Sequence, residues 1–218
     1  NIGDYVVFSE KYKGEKGILD CQYYVLRNNL AKAKKQFQDV PKMLKAFEHW
    51  FGPYPFYEDS YKLVEVPYLG MEHQSSVTYG NGYQNGYRGR DLSGTGWGLK
   101  FDFIIIHESG HEWFANNITY KDIADMWIHE SFTNYSESLF VEYYYGKEAG
   151  AAYVRGTRKN IQNDKPIIGQ YDVNNEGSGD MYYKGGNMLH TIRQIINDDE
   201  KWRQILRGLN STFYHQTV

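Results

Sequence analysis

Apolar side chains recur along the chain with two different periods, which divide it into a front part and a rear part. Residues 5–12 and 18–27 read as two neighbouring β-strands joined by the glycine-containing turn at 14–17. Residues 30–51 instead carry apolar side chains at three- and four-residue steps, which predicts a helix with one buried face. The members of this face are Ala33, Phe37, Val40, Leu44, Phe47 and Phe51.

Pro41 is expected to kink this helix or to restart it after Asp39, because proline removes a backbone donor and crowds the preceding turn. Two extended segments follow at 62–66 and 70–79. The run 80–98 is rich in glycine and asparagine and is predicted to form a long surface loop. The front part is therefore predicted to be built around a small β-sheet.

The rear part of the chain has the spacing of helices. The predicted helices occupy residues 101–117, 127–145, 147–162, 181–197 and 200–210. Residues 164–179 are predicted to be irregular because proline and glycine interrupt them. A β-rich part at about 1–80 and a helical part at about 100–218 make an α+β fold, and we expect a single domain over 1–218.

Composition narrows the class of protein. The formal net charge is −3 and no basic stripe is present, so a nucleic-acid partner is not expected. No apolar run reaches the roughly 18 residues of a transmembrane helix. Cys21 is the only cysteine, which rules out an internal disulfide and leaves both cytoplasmic and exported locations open. Because the chain begins at Asn1 rather than Met, we expect it to be a piece of a longer protein.

The candidate chemistry lies in the string His-Glu-Ser-Gly-His at 107–111 and in Glu130. Histidines four positions apart on a helix are separated by about 40° around its axis and about 6 Å along it, so His107 and His111 can face one metal ion. Glu130 is far enough along the chain to return on a second helix as a third ligand. Two imidazoles, one carboxylate and an open position suit a catalytic zinc, with Glu108 placed to take a proton from water. The alternative is an amphipathic helix with two incidental histidines.

Four segments, in this order, resemble motifs of the aminopeptidase N family of zinc peptidases, which includes leukotriene hydrolase. The segment Gly-Met-Glu-His at 70–73 resembles the family's G-x-M-E-N motif, and 107–119 resembles its H-E-x-x-H-Q-W-F-G-N helix. Residues 127–137 resemble W-x-N-E-G-F-A-x-Y-x-E, and Tyr-Tyr-Lys-Gly at 182–185 resembles Y-x-K-G. The resemblance covers the thermolysin-like catalytic domain only. It does not extend to the family's N-terminal β-domain or C-terminal helical domain, which are expected as flanking domains of a larger multidomain peptidase.

The resemblance implies a thermolysin-like metallopeptidase domain with one Zn²⁺ between a small β-sheet lobe and a mostly helical lobe. Tyr182 would donate its hydroxyl to the oxyanion of the reaction. Glu72 would bind the free α-amine of a peptide substrate, with weaker contacts from the backbone of Gly70 and Met71. The chain would then remove N-terminal residues from peptides. In addition, Glu137 and Asn134 lie on the helix face of Glu130 and could orient a ligating histidine, although solvated polarity explains them equally well.

Four of the departures from the family pattern stand out, and none is a predicted ligand or the predicted base. They are His73 in place of Asn, Glu112 in place of Gln, Ala115 in place of Gly and His129 in place of Asn. These differences bear on substrate preference, and His73 matters most because it adjoins Glu72.

Three other functions stay open at this stage. A thermolysin-like endopeptidase would use the same zinc chemistry without demanding a free amine. A leukotriene-type epoxide hydrolase would need a lipid pocket, for which the sequence offers no support. A non-catalytic binding or scaffold module would be expected to lose a ligand or the base, whereas all of these residues are present.

Overall fold

A five-stranded sheet forms the front of the molecule in the computed structural model, which describes residues 2–218; the predicted domain's first residue lies outside that range. The strands are β1 (Tyr5–Gly14), β2 (Gly17–Leu26), β3 (Tyr61–Glu65), β4 (Gly70–Met71) and β5 (Val77–Tyr79). Their order is β1-β2-β3-β5-β4. Strands β2, β3 and β5 are parallel, whereas β1 and β4 run antiparallel to their neighbours. The short strand β4 is therefore one edge of the sheet.

Seven α-helices are present within residues 2–218; the first three pack against the sheet, and the others form the rear of the molecule. They are α1 (Leu30–Gln36), α2 (Asp39–Phe51), α3 (Phe103–Gly110), α4 (Trp127–Tyr145), α5 (Lys147–Gly156), α6 (Asp180–Ile196) and α7 (Asp199–Thr212). Two more short strands, β6 (Ile118–Thr119) and β7 (Gln216–Thr217), pair in parallel and attach the end of the chain to the segment between α3 and α4. The predicted α+β arrangement of a sheet lobe followed by a helical lobe is confirmed.

Alternation along β2 decides which face of the sheet is buried. Leu19, Cys21, Tyr23 and Val25 are at most 1% exposed, while the residues between them are exposed or half-buried. The buried face packs against α1, α2 and α3. Burial of apolar area stabilises the fold by roughly 25 cal/mol for each Å². A shift of the strand by one residue would turn this apolar face toward solvent, so its burial fixes the register.

The interruption predicted in 30–51 is present, but it lies earlier than Pro41. The chain leaves α1 at Phe37 and begins α2 at Asp39. Pro41 then falls in the first turn of α2, where a backbone N–H has no partner within the helix and its loss costs little. Gly52 ends α2 with a φ of 95°, a conformation that glycine adopts without steric cost.

The segment 70–79 was predicted as one extended stretch, and this is wrong in detail. A turn closed by the Ser76 N–H and the His73 carbonyl divides it into β4 and β5, which pair antiparallel. Ser75 within the turn has a φ of 54°. Its N–H donates to Oε1 of Glu112 at 2.7 Å, so the turn is held by a carboxyl from the segment after α3.

The helix predicted over 101–117 is shorter, because α3 ends at Gly110 and turns continue to 117. Asp102 begins the helix by accepting hydrogen bonds from the N–H groups of Ile104 and Ile105. Beyond the end of the helix, the Phe114 carbonyl turns back toward Nδ1 of His111 instead of continuing the helical ladder. The helix that follows, α4, has the predicted bounds.

The segment after α3 is anchored in the core by Trp113, which is fully buried. Its ring packs against Phe47 and Phe51 of α2, and its Nε1–H donates to the Gly52 carbonyl at 3.0 Å. Helix α3 thus lies between the sheet and α4, with both ends fixed. Within residues 2–218, none of the helices has the length and apolar character that a membrane span requires.

Candidate metal centre and substrate cleft

Helices α3 and α4 bring the three predicted metal ligands together. Nε2 of His107 lies 3.5 Å from Oε2 of Glu130, and Nε2 of His111 lies 3.4 Å from the same oxygen. His107 is in the last turn of α3, His111 directly follows that helix, and Glu130 is in the first turn of α4. All three residues are buried.

The distances in this cluster match a tetrahedral zinc site. Zinc bonds of about 2.0–2.1 Å at tetrahedral angles separate neighbouring ligand atoms by about 3.4 Å. Oε2 of Glu130 is also buried without any hydrogen-bond partner among the described residues. A carboxylate oxygen in this position is costly unless a cation or donor meets it, so the residues fit a divalent metal.

The Nδ1 atom of each imidazole makes contacts that fix the orientation of the ring. His107 Nδ1 donates to Oε1 of Glu137 at 2.8 Å, and Tyr153 donates its hydroxyl to the other oxygen of Glu137 at 2.7 Å. His111 Nδ1 lies 3.1 Å from the Phe114 carbonyl and 3.1 Å from the Thr133 hydroxyl. Because Nδ1 carries the hydrogen in these contacts, Nε2 of each ring is free to bind a metal.

The role of Glu137 was undecided from the sequence, and in the structure its carboxylate accepts the hydrogen bond from Nδ1 of His107. Asn134 makes no hydrogen bond to either histidine, but its amide donates to Oε1 of Glu137 at 3.2 Å. Thr133 and Tyr153 were not predicted from the sequence. Thr133 lies three positions after Glu130 and could have been found from helical spacing, whereas Tyr153 belongs to α5 and carried no such signal.

Small residues let the helices of the site approach closely. A Cβ added at Gly110 of α3 would lie 2.8 Å from the Ser136 hydroxyl oxygen of α4. A Cβ added at Gly185 of α6 would overlap Ser131, whose hydroxyl donates to the Met181 carbonyl at 2.7 Å. These contacts set the positions of Glu130 on α4 and of the first turn of α6.

Electrostatics within the cluster favour a charged Glu130. Burial opposes ionisation of this carboxyl, but His111 and His107 hold its pKa well below the usual range. Burial likewise acts to lower the pKa of His107, yet the carboxylates of Glu130 and Glu137 outweigh it and raise that pKa. The lowered pKa of Glu130 and the raised pKa values of His107 and His111 show that this carboxylate is stabilised by positive charge beside it, which a bound cation can supply.

Glu108, the predicted base, is buried beside the cluster and close to β4. Burial raises the pKa of its carboxyl, His107 and His111 act against this, and Glu72 and Glu130 add to it. A Cβ added at Gly70 would lie 3.0 Å from Cγ of Glu108, so the backbone of β4 runs directly against this side chain. A carboxyl with a raised pKa next to a metal pocket is suited to accepting and returning a proton.

Glu72 directly follows β4 and points toward the same place. Ligand atoms of Glu72, Glu108 and His111 lie within 4.8 Å of one another. Glu72 is partly exposed, and its carbonyl accepts a hydrogen bond of 2.8 Å from the Asn116 side chain. Gly70 is half-buried against α3, while Met71 is exposed on the edge strand.

Tyr182 occupies the first turn of α6 with its ring 6.1 Å from that of His107. Burial and the carboxylates of Glu130, Glu72 and Glu108 raise the pKa of its hydroxyl, which therefore stays protonated as a donor. Tyr182 and Tyr183 line a cavity of about 280 Å³ together with Glu108. On the other side, Glu72 borders an open cleft of about 450 Å³.

The departures from the family pattern fall into different environments. Glu112 is fully buried, and burial raises the pKa of its carboxyl to about 8, so at neutral pH it is mostly uncharged, like the glutamine of the family pattern. Burial also lowers the pKa of His129 to about 3, and its neutral Nε2 accepts the Tyr120 N–H at 3.0 Å. His73 is exposed beside Glu72, and Ala115 lines the same cleft.

Comparison with known proteins places this site in a family. The chain is 22% identical to mouse endoplasmic reticulum aminopeptidase 1 over 96% of its own length and 24% of the relative's. It is 28% identical to aminopeptidase N of Lactobacillus helveticus over 73% of its length and 21% of the relative's. The chain thus spans about a quarter or less of these two relatives.

Solved structures share the fold. An M1 zinc metallopeptidase of Deinococcus radiodurans, bound to a Tyr-Ser-Ala substrate, superposes with a TM-score of 0.77 at 20% identity, covering 99% of this chain and 46% of that one. Native yeast leukotriene A4 hydrolase gives a TM-score of 0.70 at 17% identity over 97% of this chain and 34% of that one. The Peptidase family M1 domain matches residues 35–218. The chain belongs to peptidase family M1.

Proposed function

We propose that this chain is the catalytic domain of a zinc-dependent aminopeptidase that hydrolyses the N-terminal peptide bond of peptides. The observation that carries the proposal is the position of Glu72. Its carboxylate lies within 4.8 Å of both the base candidate Glu108 and the ligand candidate His111. A carboxylate that lies about one residue from the reacting bond selects substrates with a positively charged group at that distance. In a peptide, this group is the free α-amine at the N-terminus.

One zinc ion is the proposed cofactor, held by His107, His111 and Glu130. When bound, zinc would lower the pKa of a water molecule to about 7 and polarise the scissile carbonyl. Glu137 would keep His107 in the tautomer that presents Nε2 to the ion. The Phe114 carbonyl would do the same for His111.

Glu108 would accept the proton of the attacking water and return it to the leaving nitrogen. Its burial against Gly70 fixes the carboxyl near the pocket, and its raised pKa makes it a stronger base for the first transfer. Tyr182 would donate its hydroxyl to the developing oxyanion. A phenol that remains protonated because of nearby carboxylates is well suited to that role.

The substrate would lie along β4, with its amine at Glu72 and its later residues directed away. Backbone groups of Gly70 and Met71 at the sheet edge are the proposed hydrogen-bonding partners of the peptide. This arrangement explains why the edge strand and the base are in direct contact. The endopeptidase alternative lacks a role for Glu72.

We further infer that residues 1–218 form one thermolysin-like catalytic domain within a longer peptidase. The zinc cluster between a sheet lobe and a helical lobe supports the thermolysin-like description. The much greater length of the aminopeptidase relatives supports flanking domains as partners within the same protein. Peptides with a free N-terminus are the proposed external partners.

The proposal is tested with a peptide and its N-acetylated twin, each incubated with the zinc-loaded chain. Release of the first residue from the free peptide alone is expected. Glu108→Gln should abolish this release while keeping zinc bound. Glu58→Gln changes an exposed glutamate that lines neither the cavity nor the cleft beside the metal cluster, and it serves as the matched control. Equal internal cleavage of both peptides, or no cleavage by the zinc-loaded chain, would contradict the proposal.

A further inference from the structure

A cleft of about 350 Å³ opens between α5 and α6, and none of the residues of the metal cluster lines it. Its walls are unusually rich in charge for a surface of this size. They carry the basic side chains of Lys147, Arg155, Arg158 and Arg193 and the acidic side chains of Glu142 and Glu148. His190 of α6 also lines the cleft.

Two of the four basic side chains are already neutralised. Arg193 binds both oxygens of Glu142 at 2.7 Å each and contacts Asp199 at 2.9 Å. Lys147 pairs with the other oxygen of Asp199 at 2.8 Å. These groups form a satisfied ion-pair network that shapes one wall.

Arg155 and Arg158 are different, because neither has a carboxylate within 4.0 Å among residues 2–218. Nε of Arg158 donates to the Asn187 side chain at 2.9 Å, which orients its guanidinium and leaves both terminal nitrogens free. Glu148 is the one acidic group of the cleft without an ion pair. The unpaired groups therefore sum to two positive charges and one negative charge.

His190 is a buried polar side chain in the wall of the cleft. It is only 7% exposed, and its buried Nδ1 has no hydrogen-bond partner among the described residues. Burial together with Arg193, Arg155, Arg158 and Lys147 lowers the pKa of His190 to about 4, so the ring is neutral. Since the buried Nδ1 meets no acceptor, the ring hydrogen is better placed on Nε2, which can then act as a donor.

We propose that Arg155, Arg158 and His190 form a binding site for a phosphate group, either free or on a small phosphomonoester. Guanidinium groups offer paired N–H donors that match phosphate oxygens. A neutral imidazole adds one more N–H donor and does not need to be protonated to its cationic form. The cleft volume lies at the lower end of the range for small-molecule sites, so it admits a phosphate with a short attached group. This site is separate from the proposed peptidase reaction.

Calorimetric titration of the zinc-loaded chain with inorganic phosphate and with O-phosphoserine, at constant ionic strength, tests the proposal; free serine is the ligand control. The double variant Arg155→Gln and Arg158→Gln should weaken binding at least about tenfold, because it removes two charge-assisted contacts. The matched control is the double variant Lys32→Gln and Lys35→Gln, which removes an equal charge from exposed positions of α1 outside the cleft and should change nothing. Glu148→Gln should tighten binding, because it removes the competing acid.

The relative affinities for phosphate and O-phosphoserine distinguish the two kinds of ligand. Tighter binding of O-phosphoserine than of phosphate would assign a phosphomonoester, and the reverse would assign free phosphate. If phosphate binds at the zinc instead, the double variant will bind phosphate as tightly as the unmodified chain does. That result would overturn the proposal. Failure of both ligands to bind, or equal binding of free serine, would also overturn it. Both arginines are exposed, so melting curves without phosphate should show that the double variant folds normally.

Discussion

Nδ1 of His107 donates to Oε1 of Glu137 at 2.8 Å, which turns the opposite nitrogen of the ring toward Glu130. The acceptor is itself fixed, since Tyr153 and Asn134 both donate to Glu137. A fully buried carboxylate with three donors can hold one orientation of the ring. The geometry of the metal cluster thus depends on a residue that touches no substrate.

Replacement of Glu137 by glutamine should therefore weaken zinc binding. Loss of such a supporting contact typically lowers metal affinity by about 10- to 100-fold. Competition with a chromophoric chelator measures the zinc Kd directly. Glu58→Gln is the control, and a Glu137→Gln chain that binds zinc like the unmodified chain would show that the contact does not orient His107.

Tyr182→Phe should reduce kcat while leaving KM and zinc binding nearly unchanged. Removal of one donor to an oxyanion costs about 10²–10³ in kcat. Tyr183 is the natural control, because it lines the same cavity one position along α6. If Tyr183→Phe produced the larger loss in steady-state kinetics, the assignment of the donor would be reversed.

Gly70→Ala should impair catalysis more than folding. The added Cβ would lie 2.8 Å from Cγ2 of Ile104 and 3.0 Å from Cγ of Glu108, so the base must shift. Misplacement of a catalytic group by about 1 Å can cost about 10²-fold in rate. Gly179→Ala meets no atom within 4 Å and should be silent in the same assay. Equal activity of the two variants would show that Glu108 needs no close support from β4.

Glu112→Gln should stabilise the chain at alkaline pH relative to the natural residue. Burial raises the pKa of Glu112 from 4.5 to about 8, so the folded state holds a proton that the unfolded state releases between these values. The stability supplied by the protonated carboxyl is complete below pH 4.5 and is lost as pH rises through about 8. Glutamine stays neutral and avoids this loss.

Urea unfolding of both chains at pH 5.5 and pH 8.5 measures the difference. The advantage of Glu112→Gln should grow by about 1.4 kcal/mol for each pH unit within the window. An advantage that is the same at both pH values would mean that the carboxyl is ionised in the folded state.

Local spacing was enough to predict much of the site. The positions of His107, His111 and Glu130 follow from helical periodicity and a return helix, and α4 has the predicted bounds. The sheet order β3-β5-β4 was not accessible in this way, because it depends on contacts between distant segments.

Tertiary contacts explain the errors. Nothing in 72–76 signals a turn, as that segment lacks glycine and proline, yet the buried carboxyl of Glu112 captures the Ser75 N–H and bends the chain. In the same way, α3 ends early because the Phe114 carbonyl is directed to His111. Tyr153 was missed because its contact to Glu137 joins two helices.

The role of Glu72 is tested most directly by the preference of the zinc-loaded chain for a free N-terminus. The measurement is the ratio of kcat/KM for a free peptide to that for its N-acetylated twin, in the unmodified chain and in Glu72→Gln. We predict that Glu72→Gln lowers the ratio about 10- to 100-fold, because a charge-assisted contact to the amine is lost while zinc remains bound. An unchanged ratio would contradict the assignment of Glu72 and, with it, the aminopeptidase account of this cleft.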